Sequence, residues 1–86
     1  MKNSPNNPVD ENRFEQAIIA YGKTHDLAIT LTMTMAPAPC KDSGSDNHYV
    51  MLVDSYRFLI DNSDPSNPLV INHNVVAGPK SFYIDG

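Results

Sequence analysis

Tryptophan is absent from this 86-residue chain and cysteine occurs once, at Cys40. A lone cysteine excludes an intrachain disulfide. A small secreted domain usually offsets a modest core with several bridges, so a reducing, cytoplasmic setting is the expectation. Long apolar runs are also missing. None approaches the roughly 18 residues that a membrane span needs. Residues 1–8, Met-Lys-Asn-Ser-Pro-Asn-Asn-Pro, hold no apolar stretch of signal-peptide type.

Positive charge is scarce: six Lys and Arg stand against ten Asp and Glu, for a net charge of −4. Phosphate binding draws most of its affinity from Lys and Arg, so no direct nucleic-acid partner is expected. The carboxylates are scattered rather than ranked in rows, which argues against mimicry of DNA. Glycine is thin as well, and Gly22, Gly44, Gly78 and Gly86 are too dispersed for a phosphate-cradling loop.

Metal ligands are equally sparse. Structural zinc wants four Cys or His in paired spacings, and this chain offers Cys40 with His25, His48 and His73 far apart. Asp61, Ser63 and Asp64 loosely resemble a calcium loop, but Pro65 takes a liganding position. Counting from Asn62 instead puts Asn67 where glycine belongs, with no Glu at the twelfth place. No cofactor is expected. A thiolate with an imidazole makes a nucleophile, and His48 follows Cys40 by eight residues. No signature surrounds this thiol between Pro39 and Lys41, so a small Cys/His-dependent enzyme is only an alternative reading.

What is present reads as one α+β domain. Residues 1–7 are a polar tail and 8–86 the domain. Asn7-Pro8 suits a helix start, Asp10 and Glu11 favour the first turn, and Phe14, Ala17, Ile18 and Tyr21 line one face. A helix over 8–22 follows, with Gly22 and Lys23 as its stop. Leu27, Ile29, Leu31, Met33 and Met35 then alternate with Ala28, Thr30, Thr32, Thr34 and Ala36, the period of a half-buried strand. Pro37 and Pro39 end it. Further strands are expected at 48–53, 56–60, 69–76 and 81–84, separated by the polar loops 40–47 and 61–68 and by Gly78-Pro79. Asp54-Ser55 reads equally as a tight turn or as a bulge. Short connections require antiparallel pairing. The expected fold is therefore one N-terminal amphipathic helix packed on a mostly antiparallel sheet of about four strands.

With catalytic and metal signatures lacking, the expected function is binding: a small acidic non-enzymatic protein that regulates or inhibits another protein. Phages and mobile elements use small acidic proteins in this way against host enzymes. The expected contacts are the threonine face, Thr30, Thr32 and Thr34, with Tyr49 and Tyr56, since tyrosine is enriched at interfaces. Asp42, Asp46, Asp61 and Asp64 would frame that surface and steer it toward a basic groove, such as that of a nucleic-acid enzyme. No membrane partner is expected. A homodimer paired through a strand at 27–36 is the alternative from a different class.

Overall fold

A computed structural model describes residues 8–40, 44 and 46–76. The expected tail, Asp42 and the expected strand 81–84 lie outside the described residues. Helix α1 spans Glu11–Thr24. Four strands follow: β1 Ala38–Pro39, β2 His48–Val53, β3 Tyr56–Asp61 and β4 Leu69–Val75. They form one antiparallel sheet in the order β1-β2-β3-β4. The expected α+β architecture, one helix with a four-stranded antiparallel sheet, is the one observed.

The helix begins later than Asn7-Pro8 suggests. Asp10 is the N-cap, and its Oδ1 accepts from the backbone N–H groups of Asn12 (3.0 Å) and Arg13 (3.3 Å). A carboxylate at this place satisfies two orphan donors and meets the positive end of the helix dipole. Pro8 instead belongs to the approach, where its carbonyl accepts from Asn62 Nδ2 at 3.0 Å. The helix also continues past Gly22. Asp26 takes the left-handed conformation (φ 58) and Leu27 N–H returns to the Gly22 carbonyl at 2.8 Å, a Schellman-type end with aspartate in the usual glycine place. Gly22 has another purpose: a Cβ there would lie 2.7 Å from Ile29 Cγ1. Its bare backbone lets the chain after the helix fold back against it.

Phe14 and Ile18 of α1 pack onto Tyr49, Met51 and Val53 of β2 and Phe58 and Ile60 of β3, all buried. Strict alternation along β2 puts those three residues under the helix and turns His48, Val50 and Leu52 to the other face. Each fully buried large apolar side chain contributes about 1.5–3 kcal/mol. Tyr49, expected on the binding face, is therefore a core residue. It is 5% exposed and meets Phe14 edge to face at 5.9 Å.

Asp54-Ser55 is a two-residue hairpin turn, since Val53 pairs with Tyr56. The irregularity lies elsewhere, in β4. Leu59 pairs with Asn72 and Ile60 with Val70, so Ile71 is an extra residue of bulge type.

Segment 27–36 departs most from expectation. Its burial alternates as the sequence implies, with Leu27, Ile29, Leu31, Met33 and Met35 half-buried and the residues between them exposed. It is nonetheless not a strand. Among the described residues one isolated bridge, Thr34 to Val53, is its ladder contact, and Leu31 at φ 57 breaks the extended backbone.

Candidate functional site

The residues singled out by sequence fall into two groups at opposite ends of the β2–β3 hairpin. Six-residue strands separate those ends by roughly 17 Å. Thr30, Thr32 and Thr34 lie near the Asp54-Ser55 turn, and Tyr56 opens β3 beside it. Asp46, Asp61 and Asp64 lie at the far end.

At the turn, one carboxylate gathers the whole 30–33 segment. Asp54 Oδ2 accepts from Thr30 N–H (2.7 Å), Thr30 Oγ1 (3.2 Å) and Leu31 N–H (3.1 Å). Its Oδ1 accepts from Thr32 N–H (2.8 Å) and Met33 N–H (3.2 Å). The backbone of Asp54 adds a bond from its own N–H to the Met33 carbonyl. Four successive N–H groups converging on an anion form a nest. Partial burial pushes the Asp54 carboxyl up, but the N–H groups of Thr30, Met33, Leu31 and Thr32 outweigh it and hold the group below its ordinary 3.8. Thr30 and Thr32 are thus engaged locally, and their hydroxyls bond one another at 2.7 Å beside the clasp.

At the far end, contacts draw three segments together. Asn62, fully buried, donates through Nδ2 to the Pro8 carbonyl and through its N–H to the Asn47 carbonyl. Arg13 reaches from α1 to the Ser66 carbonyl at 3.0 Å while pairing with Asp10 at 3.4 Å. Asp10, Glu11, Asp46, Asp61 and Asp64 therefore share this end, with Arg13 as the one Lys or Arg among the described residues there. The loop repeats a local device. Asp61 accepts from Ser63 N–H and Oγ, and Asp64 accepts from Ser66 N–H and Oγ, so each aspartate closes its own Asx-turn. The Ser63 hydroxyl and N–H hold the Asp61 carboxyl below 3.8, with help from nearby His48. A groove of about 720 Å³ starts at the same end and runs between α1 and the chain leading into β4, with Arg13, Ala17, Ala20, Pro68 and Val70 in its walls.

Two further groupings emerge. Cys40 N–H donates to the His48 carbonyl at 2.9 Å, the next rung after the Pro39–Tyr49 pair, and His48 pairs in turn with Asp61. The register thus sets Cys40, just past the end of β1, abreast of His48 on β2 and Asp61 on β3. Sequence alone pairs Cys40 with His48 but has no means of adding Asp61, because the loop between strands hides the register. Near the other end, Tyr21 Oη and His73 Nδ1 share a 2.6 Å hydrogen bond, and the His25 ring stacks on Tyr21 at 3.7 Å.

Among the described residues no three His, Cys, Asp or Glu side chains group as metal ligands, and no helix is long and apolar enough to cross a membrane. Comparison with protein-family models, curated proteins and solved structures finds no match for this chain.

Proposed function

We propose that this is a non-enzymatic binding protein whose acidic end docks on a basic surface of another protein and regulates it. The observation that supports the reading is the gathering of Asp10, Glu11, Asp46, Asp61 and Asp64 at one end of the molecule around the Asn62 contacts. Side-chain carboxylates on short, hydrogen-bonded turns present charge at fixed positions, which favours steering and register over bulk attraction. The groove beside α1 opens at the same end and offers apolar wall area next to that charge. A basic groove of a nucleic-acid enzyme meets these requirements, and inhibition by occupancy is the expected mechanism.

The experiment is capture from native cell lysate by the tagged wild-type chain and by an Asp46→Lys/Asp64→Lys variant. A stoichiometric partner that the wild type retains, that salt weakens and that the variant loses supports the reading. Capture of that partner equally by both, or of nothing by either, overturns it.

A second reading has its own observation, the Cys40–His48–Asp61 row. In it, the imidazole would raise the thiolate character of Cys40. The alkylation rate of Cys40 by iodoacetamide decides. A rate well above that of a free cysteine, lowered by His48→Asn, favours thiol chemistry; an ordinary rate removes it.

A further inference from the structure

Two histidines that stand far apart in the chain meet in the fold. His25 caps the C-terminal end of α1, and His73 lies on β4. Their ring centres are 6.0 Å apart. Tyr21 touches both: His25 stacks on its ring at 3.7 Å, and His73 Nδ1 shares a hydrogen bond with its hydroxyl at 2.6 Å. This group takes no part in the acidic end, the Asp54 clasp or the Cys40–His48–Asp61 row.

Hydrogen bonds determine which nitrogen each ring has to spare. The Thr24 hydroxyl donates to the Tyr21 carbonyl at 2.9 Å. His25 Nδ1 lies 3.0 Å from that same carbonyl and 2.9 Å from Thr24 Oγ1. With the hydroxyl proton committed, both neighbours act as acceptors toward Nδ1. Neutral His25 therefore carries its proton on Nδ1, and Nε2 keeps a lone pair. On His73, Nδ1 is again the engaged nitrogen, and the Tyr21 hydroxyl can accept from it when it carries the proton. Metal-binding histidines use this arrangement, with one ring N–H tied to a carbonyl or similar acceptor and the other nitrogen on the ion.

We propose that His25 and His73 form a two-histidine site for a late first-row divalent metal ion, Zn²⁺ or, more tightly, Cu²⁺, held through the two Nε2 atoms. Imidazole suits these ions, and affinity rises to Cu²⁺ along the divalent series. Zn–N bonds of about 2.0–2.1 Å set an ion roughly 3 Å from each ring centre, so two rings that share it stand about 5–6 Å apart. The observed separation, 6.0 Å, lies at the open end of that range.

The two ligands differ in freedom. His73 is half-buried, set among the rings of Tyr21, Tyr56 and Phe58 at 5.3, 6.2 and 6.3 Å. His25 is exposed and is the ring that shifts over the Tyr21 face to close the pair. No third His, Cys, Asp or Glu joins them among the described residues, so water takes the remaining positions. An ion held in this way fastens the end of α1 to β4, where Tyr21 now spans the two.

The test is a Zn²⁺ titration of the untagged full chain carrying Cys40→Ser, which removes the competing thiol. Calorimetry gives the stoichiometry, and NMR of the histidine rings gives the ligands. One ion per chain is expected, with the His25 and His73 ring signals moving and those of His48 unmoved. His25→Gln and His73→Gln are each expected to lower the affinity by at least the roughly tenfold that a lost outer-shell partner costs. His25 is exposed, so its variant keeps the fold even where His73→Gln disturbs it. No binding up to about 1 mM Zn²⁺ overturns the proposal. So does an affinity that His25→Gln leaves unchanged, or an ion that moves the His48 signals instead of those of His25 and His73.

Discussion

Asp54 and Leu31 share a conformation that side chains disfavour, at φ 54 and φ 57, and the carboxylate of the first accepts the N–H of the second at 3.1 Å. The two distortions face each other across the clasp. The turn aims the carboxylate back across the sheet, and the reversal at Leu31 aims successive N–H groups at it. Left-handed backbone costs a non-glycine residue roughly 1–2 kcal/mol, which the charge-assisted bonds offset.

Asp54→Asn tests this exchange. The shape is kept, but one oxygen and the charge are lost, so some of the four N–H groups go unpaired. The expected loss is about 2 kcal/mol, read from the urea midpoint at constant m-value. Asp54→Gly relieves the turn by about 1 kcal/mol yet removes the acceptor altogether, and is expected to be no more stable than Asp54→Asn.

Acid should act through the same group. The Asp54 and Asp61 carboxyls lie below 3.8 in the folded chain, so below that value the unfolded chain binds more protons. Their contribution is complete well above pH 3.8 and fades as pH falls through the folded values. Stability measured from neutral pH to about 3 should decline in the wild type and decline less in Asp54→Asn.

Gly22→Ala runs against helix propensity. Alanine gains up to about 1 kcal/mol in a helix interior, but its Cβ would fall 2.7 Å from Ile29 Cγ1. Overpacking of this kind costs about 1–3 kcal/mol, so a net loss near 1 kcal/mol is expected. In Gly22→Ala/Ile29→Ala the clash is gone. A double-mutant cycle should return a favourable coupling between the two changes.

Tyr49→Ala should lower stability by about 3–5 kcal/mol, whereas Asp46→Asn and Asp64→Asn should stay within about 0.5 kcal/mol of the wild type. Thermal midpoints separate the core residue from the exposed ones.

These contrasts show what is legible in the sequence. The helix announces itself through Phe14, Ile18 and Tyr21, and β2 and β3 through their apolar runs, because period and composition are local properties. Segment 27–36 misleads because alternating burial is necessary for a strand and not sufficient. Its hydrogen bonds go to a side chain 21 to 24 residues away, and no local pattern encodes that. Tyr49 and Tyr56 look alike in sequence and share the helix-side face of the sheet. Tyr49 meets Phe14 and is buried, whereas Tyr56, beside the turn, stays half-buried at the margin of the core. That distinction is tertiary. The acidic end is half legible. Asp46, Asp61 and Asp64 stand out as loop residues, while Asp10 and Glu11 join them only through the Asn62 and Arg13 contacts.

The clasp at Asp54 also orders events in time. Its carboxylate reaches its place only after the β2–β3 hairpin has turned, whereas the hairpin needs nothing from residues 30–33 to pair its own strands. Docking of the 27–36 segment therefore belongs on the native side of the folding barrier. Weakening the clasp should leave the refolding rate nearly unchanged and fall almost wholly on the unfolding rate. One aspartate in a turn then governs how long the protein stays folded more than how fast it gets there.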